Sequence, residues 1–467
     1  MKKLLSLILA TLLTVSMFAG CSSNNDASDK DVSKNDTSKN DEKDTSTKGT
    51  IEIEFWHSAS GVKGEATDQV AADFNATVGK EKGIFVKSVY QGNDVVAKLK
   101  TVSQANDVKN FPDVGQIYGS GIPAVMKMDP LVTIDEMFAK GDASISKDDL
   151  HPSFVRAFEY KSEMIGMPFN NSTILLYYNK DHFEEVGLDP EQPPTTIAEL
   201  ANATSKLMKS NGNKVERYGL NVAIRRYQLS NFIGGQGDFN FYGDNEGGRT
   251  GQMTKVTFGE DGSLEKYLTE WEKLVKTGGY KPIEDNINEE FATGISSMAI
   301  MSTSRISTIH GLMGEDANFG VAYLPKVDAA DKGGVSVGGG SLCLFDKGDS
   351  DKLNAAWEFI QYAASPEAQA KYSIATGYVA ANLKAYELPE MKSHLESHPE
   401  YQVAINQLNE SNPNVQEPFD LIPWELDAII KDTMAEFGAG NMTVDETRDY
   451  IVEECNKKLA AYNRANN

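Results

Sequence analysis

Apolar and polar positions recur along this chain with two periods. Residues 51–56 alternate apolar and charged side chains, the two-residue period of a strand. Val62, Ala66, Val70, Ala71 and Phe74 then follow at helical spacing, and Gly83 ends that run before a second strand pattern over 84–90. Val95, Val96, Leu99 and Val102 share one face of a helix over 95–103, and 113–118 reads as a third strand closed by Gly119-Ser120-Gly121. Strand alternating with helix predicts an α/β fold with mainly parallel sheets flanked by helices. Ligands of such sheets bind outside the carboxyl ends of the strands. Those ends carry Trp56-His57-Ser58, Gly92-Asn93-Asp94 and Tyr118-Gly119-Ser120.

The second half keeps the alternation. A polar turn, Asn170 to Thr173, leads into the apolar run 174–178, which reads as a buried strand and as the point where the chain enters a second lobe. Thr196 caps a helix over 197–209, with Glu199 three residues on. A strand follows over 218–223, and Leu264, Leu268, Trp271 and Val275 form an amphipathic stripe. Gly338-Gly339-Gly340-Ser341 precedes an apolar strand and marks a second crossing, a helix spans 353–364, and the chain from Pro399 is mainly helical.

The amino terminus changes the picture of location. Lys2 and Lys3 precede an apolar run over 4–18, then Ala19-Gly20-Cys21, the outline of a secretory signal. Gly20-Cys21 resembles a lipobox, which implies lipid attachment at Cys21 and anchoring to the outer face of the bacterial cytoplasmic membrane. Phe18 stands where such signals usually carry an aliphatic residue. Residues 1–20 are thus read as signal peptide. Residues 21–50, poor in apolar side chains, read as a disordered tether. With Cys21 acylated, Cys343 and Cys455 remain, and the sequence leaves open whether they pair. The formal charge of −23 argues against nucleic acid or anionic lipid as partners, since both need a basic face.

The chain lacks a zinc-ligand spacing, a nucleophile elbow and a phosphate-cradling loop. His394 and His398 stand four apart with no Glu-x-x-His or Cys pattern beside them, so no metal or cofactor is expected.

Several motifs then converge. Phe55-Trp56-His57-Ser58, the run from Pro168 to Thr173, Leu176 to Asp181, Gly187 to Pro194, Gly339 to Leu342 and Thr376-Gly377-Tyr378 fall in the order found in one family. The chain resembles the extracellular solute-binding proteins of ABC importers, the sugar-binding group, and within it the glycerol-3-phosphate binders. The resemblance implies a two-lobed periplasmic-binding-protein-like clamp that closes on a solute and docks on membrane permease subunits, without catalysis. Lobe 1 is expected over 51–167 and 340–387, and lobe 2 over 168–339 and 388–467. A monomer is expected.

Carried over by residue, the resemblance implies ligand contacts at Ser172, Ser302, Gly339 and Tyr378. Elsewhere the chain departs. Asp94 stands where a tyrosine is expected, Gly119 where a glutamate is, and Asp427 where a phosphate-binding arginine is. That last exchange inverts a charge, unless Arg226 or Arg305 replaces it. The candidate ligand residues are therefore Trp56, His57, Asp94, Tyr118, Ser172, Tyr227, Ser302, Arg305, Gly339, Tyr378, Trp424 and Asp427. Carboxylates that accept sugar hydroxyls and aromatic faces that pack on a pyranose favour a carbohydrate or polyol. Glycerol-3-phosphate or a glycerophosphodiester is the alternative, and a secreted hydrolase or a ligand-free surface lipoprotein are readings from other classes.

Overall fold

A computed structural model describes residues 49–283, 285–314 and 317–466. The signal segment, Cys21 and all of the tether before Gly49 lie outside the described residues.

The first lobe is built on a sheet in the strand order Ile84–Tyr90, Ile51–His57, Val114–Tyr118, Gly338–Phe345, Leu131–Val132, with Met167–Ser172 also paired to Gly338–Phe345. The first three strands are parallel, and Gly338–Phe345 is antiparallel to each of its neighbours. The second sheet runs Tyr280–Lys281, Lys214–Asn221, Ser296–Ser302, Ile174–Asn179, Phe319–Tyr323 and is mixed in the same way. The two-lobed α/β clamp is as expected, but its sheets are mixed rather than mainly parallel. The antiparallel strands are those beside which the chain changes lobe, and a pattern of hydrophobic residues carries no strand direction.

Each sheet is covered by helices whose apolar stripe faces it. Val70, Ala71 and Phe74 of helix Gly61–Ala76 are buried in the first core with Phe55 and Phe359. Leu264, Tyr267, Leu268 and Trp271 of helix Ser263–Val275 are buried in the second, as their spacing predicts. No described helix is long and apolar enough to cross a membrane.

Met167–Ser172 lies in the first sheet and Ile174–Asn179 in the second, so the chain crosses at Thr173. The stretch expected to be a polar turn is a fully buried strand. Several of its polar side chains tolerate burial because they find partners, although Asn171 Oδ1 has none among the described residues. Asn170 Oδ1 accepts from Gln116 Nε2 at 3.1 Å, and Asn171 Nδ2 donates to Gly340 O at 3.4 Å. Thr173 Oγ1 donates to Ser336 O at 3.0 Å, tying the first crossing to the second. The return strand already begins at Gly338. Cys343 and Cys455 are both free and buried, and burial pushes each thiol up to about 12.

Candidate functional site

A cleft of about 620 Å³ opens where the carboxyl ends of the first-lobe strands face the second lobe. Three first-lobe loops supply its wall, and each follows one of the parallel strands. Ser58 follows Ile51–His57, Asn93 to Ala97 follow Ile84–Tyr90, and Tyr118 to Gly121 close Val114–Tyr118. Asp94 is held as the N-cap of helix Val95–Gln104, accepting from Ala97 N at 2.8 Å. Gln116 Oε1 accepts from Ser58 N at 3.1 Å and fixes the neighbouring loop.

The floor is Ser172 with Gly338 and Gly339. Gly339 has φ +97°, and a Cβ there would meet Asn170 O at 2.0 Å, so only glycine lets the two crossing strands approach this closely. The second-lobe wall is Tyr227, Glu417, Asp420, Leu421, Pro423, Trp424 and Glu425. Trp424 is 69% exposed, an unusual state for a tryptophan and one that leaves its ring open to the cleft. Tyr227 Oη is buried with no hydrogen-bond partner among the described residues.

Arg226 holds the second-lobe wall together. Its Nε donates to Asp420 Oδ2 at 2.9 Å, its Nη1 to Glu417 Oε1 at 2.7 Å and its Nη2 to Pro418 O at 2.7 Å. Burial alone would favour the neutral form, but Asp420 and Glu417 outweigh it and raise the guanidinium's pKa. Arg226 is thus a structural cation and is not free to take a phosphate. Glu417 turns its other oxygen, Oε2, toward the first lobe, where a Cβ on Gly119 would meet it at 3.2 Å. A second-lobe carboxylate therefore occupies the neighbourhood where the resemblance expects a glutamate at 119.

Six of the expected residues line this cleft: Asp94, Tyr118, Ser172, Tyr227, Gly339 and Trp424. Asp427 does not. It borders a smaller adjoining cavity, where its Oδ2 accepts from Arg225 Nε at 2.9 Å and its Oδ1 from Arg226 N at 3.1 Å. Arg225 neutralises it, so the expected charge inversion does not reach the ligand. Trp56 and His57 also fall outside. Trp56 Nε1 donates to Glu54 Oε2 at 2.8 Å, and His57 is 1% exposed, packed between Phe55 and Tyr90 with Nε2 3.2 Å from Asp68 Oδ1. These partners turn both side chains away, and the cleft receives the next residue, Ser58.

Ser302, Arg305 and Tyr378 gather in a second group beside the cleft. Lys63 Nζ donates to Ser304 Oγ at 2.8 Å and lies 5.0 Å from the Tyr378 ring, while Ser302 Oγ is 3.2 Å from Ser304 Oγ. Burial and, second, the nearby Arg305 bring the Lys63 ammonium down to about 8. The Tyr378 hydroxyl is raised by burial and then by Tyr118, which itself lines the cleft, so the two groups adjoin. Sequence reasoning named Ser58 only as part of its loop and missed Lys63, Lys100, Gln116, Glu417, Asp420 and Glu425. Only Gln116 carried a signal, a polar residue inside the buried strand Val114–Tyr118.

The family described as bacterial extracellular solute-binding protein matches residues 69–399 of this chain. The sn-glycerol-3-phosphate-binding periplasmic protein UgpB of Salmonella typhimurium is 28% identical over 426 residues, covering 88% of this chain and 93% of that protein. Among solved structures, the sugar-binding protein MalE of Xanthomonas citri superposes with a TM-score of 0.73 at 19% identity, over 89% of this chain and 99% of that one. UgpB of Mycobacterium tuberculosis in complex with glycerophosphocholine superposes with a TM-score of 0.70 at 21% identity, over 89% of this chain and 100% of that one. These superpositions carry the same two-lobed fold, and the family match extends over well more than half of the sequence. The chain belongs to the bacterial extracellular solute-binding proteins.

Proposed function

We propose that this protein captures a carbohydrate or polyol-type solute in the cleft between its lobes and delivers it to the permease of an ABC importer. The observation that carries this reading is the exposed ring of Trp424 on a wall shared with Glu417 and Glu425, across from Asp94 and Tyr118. An aromatic face packs on the apolar face of a sugar ring, and carboxylates accept its hydroxyl protons. The protein acts by binding, as a monomer, and not as an enzyme. Lipid attached at Cys21 holds it on the outer face of the cytoplasmic membrane.

A second reading, glycerol-3-phosphate or a glycerophosphodiester, is favoured by one specific observation. Lys63 and Arg305 stand together beside Ser302 and Ser304, and neither has an ion-pair partner among the described residues. Relatives named for glycerol-3-phosphate and glycerophosphocholine fit that chemistry. A thermal-shift screen over oligosaccharides, polyols, glycerol-3-phosphate and glycerophosphocholine separates the readings, because a ligand bound only by the folded chain raises its melting temperature. A rise with a neutral carbohydrate alone supports the first. A rise with the phosphate esters alone overturns it in favour of the second.

A further inference from the structure

Three of the chain's histidines, His310, His394 and His398, meet Glu400 at the last passage between the lobes. Helix Pro389–Ser397 carries His394 and packs Met391 against Ala370, Ala380 and Ala385, which belong to the first lobe. His398 follows it, and helix Glu400–Asn409 lies in the second lobe, where Gln407 donates to Ile174 O at 2.9 Å and accepts from Leu324 N at 2.6 Å. Helix Ile306–Met313, also of the second lobe, brings His310 to the same place.

The geometry is that of a three-ligand metal site. His310 Nε2 lies 2.6 Å from Glu400 Oε1, and His398 Nδ1 lies 3.5 Å from the same oxygen. One donor atom from each of the three residues falls within 4.8 Å of the other two. Zinc bonds of about 2.0–2.2 Å set the corners of a tetrahedron roughly 3.4 Å apart. The His398–Glu400 pair already has that spacing. The His310–Glu400 pair is closer because a hydrogen bond spans it, and it needs to open by less than about 1 Å. Independently, His394 Nε2 is buried with no hydrogen-bond partner among the described residues, and its ring packs 5.1 Å from that of His398.

We propose that His310, His398 and Glu400 bind a divalent transition metal of the Zn²⁺ class at this passage between the lobes. Two imidazole nitrogens and one carboxylate oxygen suit Zn²⁺ and exclude hard cations such as Mg²⁺, which demand oxygen ligands. His310 and Glu400 come from two second-lobe helices and His398 from the connection that reaches them from the first lobe, so the metal would fasten that connection whichever solute the cleft holds. Nothing in the order of residues announces the site, because His310 lies 90 positions before Glu400 and the His398-x-Glu400 pair alone is no metal motif.

The full-length chain, stripped with a chelator, is titrated with Zn²⁺ against a chromophoric competitor and, separately, with Co²⁺ while the visible spectrum is followed. One Zn²⁺ bound per chain, a Co²⁺ band of a four- or five-coordinate ion, and a Zn²⁺-dependent rise in melting temperature are expected. His310→Ala and His398→Ala each weaken binding by more than about tenfold. Glu400→Gln keeps the side chain's shape and loses the Co²⁺ band, which guards against a variant that fails merely by unfolding. Absence of Zn²⁺ uptake by the wild-type chain, or uptake that Glu400→Gln and the two histidine variants leave unchanged, overturns the proposal.

Discussion

Lys63 Nζ donates to Ser304 Oγ over 2.8 Å and so joins the first turn of a first-lobe helix to the second lobe. Under the phosphate-ester reading, this lysine is one of the cations a bound anion would meet. It is largely desolvated and has Arg305 as its neighbour, so its ammonium is brought down to about 8. A bound anion would relieve both penalties.

The first prediction follows from that value. In the absence of ligand the unfolded chain holds the Lys63 proton more tightly than the folded one, since an unperturbed lysine titrates near about 10.4. The destabilisation is fully present below about pH 8 and is relieved as pH rises from there toward the ordinary lysine range. Stability measured by urea denaturation therefore gains a positive slope with pH over that window, and Lys63→Met removes it. Any affinity for a phosphate ester runs the other way and falls as pH rises past about 8. Arg305→Ala lowers such affinity by about tenfold to a hundredfold, the worth of a charged hydrogen bond, and leaves neutral solutes unaffected.

Arg226 and Asp427 carry a second prediction, one about stability. Arg226 is buried against Asp420 and Glu417. Arg226→Ala strands those carboxylates and costs about 3–5 kcal/mol of folding stability. Asp427→Ala leaves Arg225, which is partly exposed, in a milder position, and its cost stays below about 1 kcal/mol. Chemical denaturation of both variants checks the order, and a larger loss at Asp427 would contradict the assignment of Arg226 as the keystone of that wall.

Much of the clamp was legible in the sequence, for identifiable reasons. Period-two and period-3.6 patterns located the strands and helices of both lobes, and strand-end topology pointed to the loops at Asp94 and Tyr118. The same rule failed at Trp56 and His57, because it names a loop and not the residue within it that clears the end of the sheet. The stretch Asn170 to Thr173 read as a turn because its side chains are polar. Asn170 to Ser172 are strand and Thr173 is the crossing, because Gln116, Gly340 and Ser336, partners 54 to 169 positions away, take up Asn170 Oδ1, Asn171 Nδ2 and Thr173 Oγ1. Lys63 and Glu417 gave no signal at all, since nothing local marks a charged residue that a distant element will desolvate.

Gly339 gives a third prediction. Its φ of +97° and the 2.0 Å approach of Asn170 O to any added Cβ make Gly339→Ala costly by more than about 2 kcal/mol. The loss falls on the crossing itself, so solute affinity should drop together with the melting temperature. A variant of unchanged stability would show that the two strands are free to part.

Capture of a carbohydrate or polyol against Trp424 is tested most directly by isothermal titration calorimetry on the wild type, Trp424→Ala and Arg305→Ala. A neutral carbohydrate is expected to bind, Trp424→Ala to weaken it by about thirtyfold, equivalent to about 2 kcal/mol of lost aromatic burial, and Arg305→Ala to leave it unchanged. Binding confined to glycerol-3-phosphate or glycerophosphocholine, abolished by Arg305→Ala and indifferent to Trp424→Ala, would contradict that expectation.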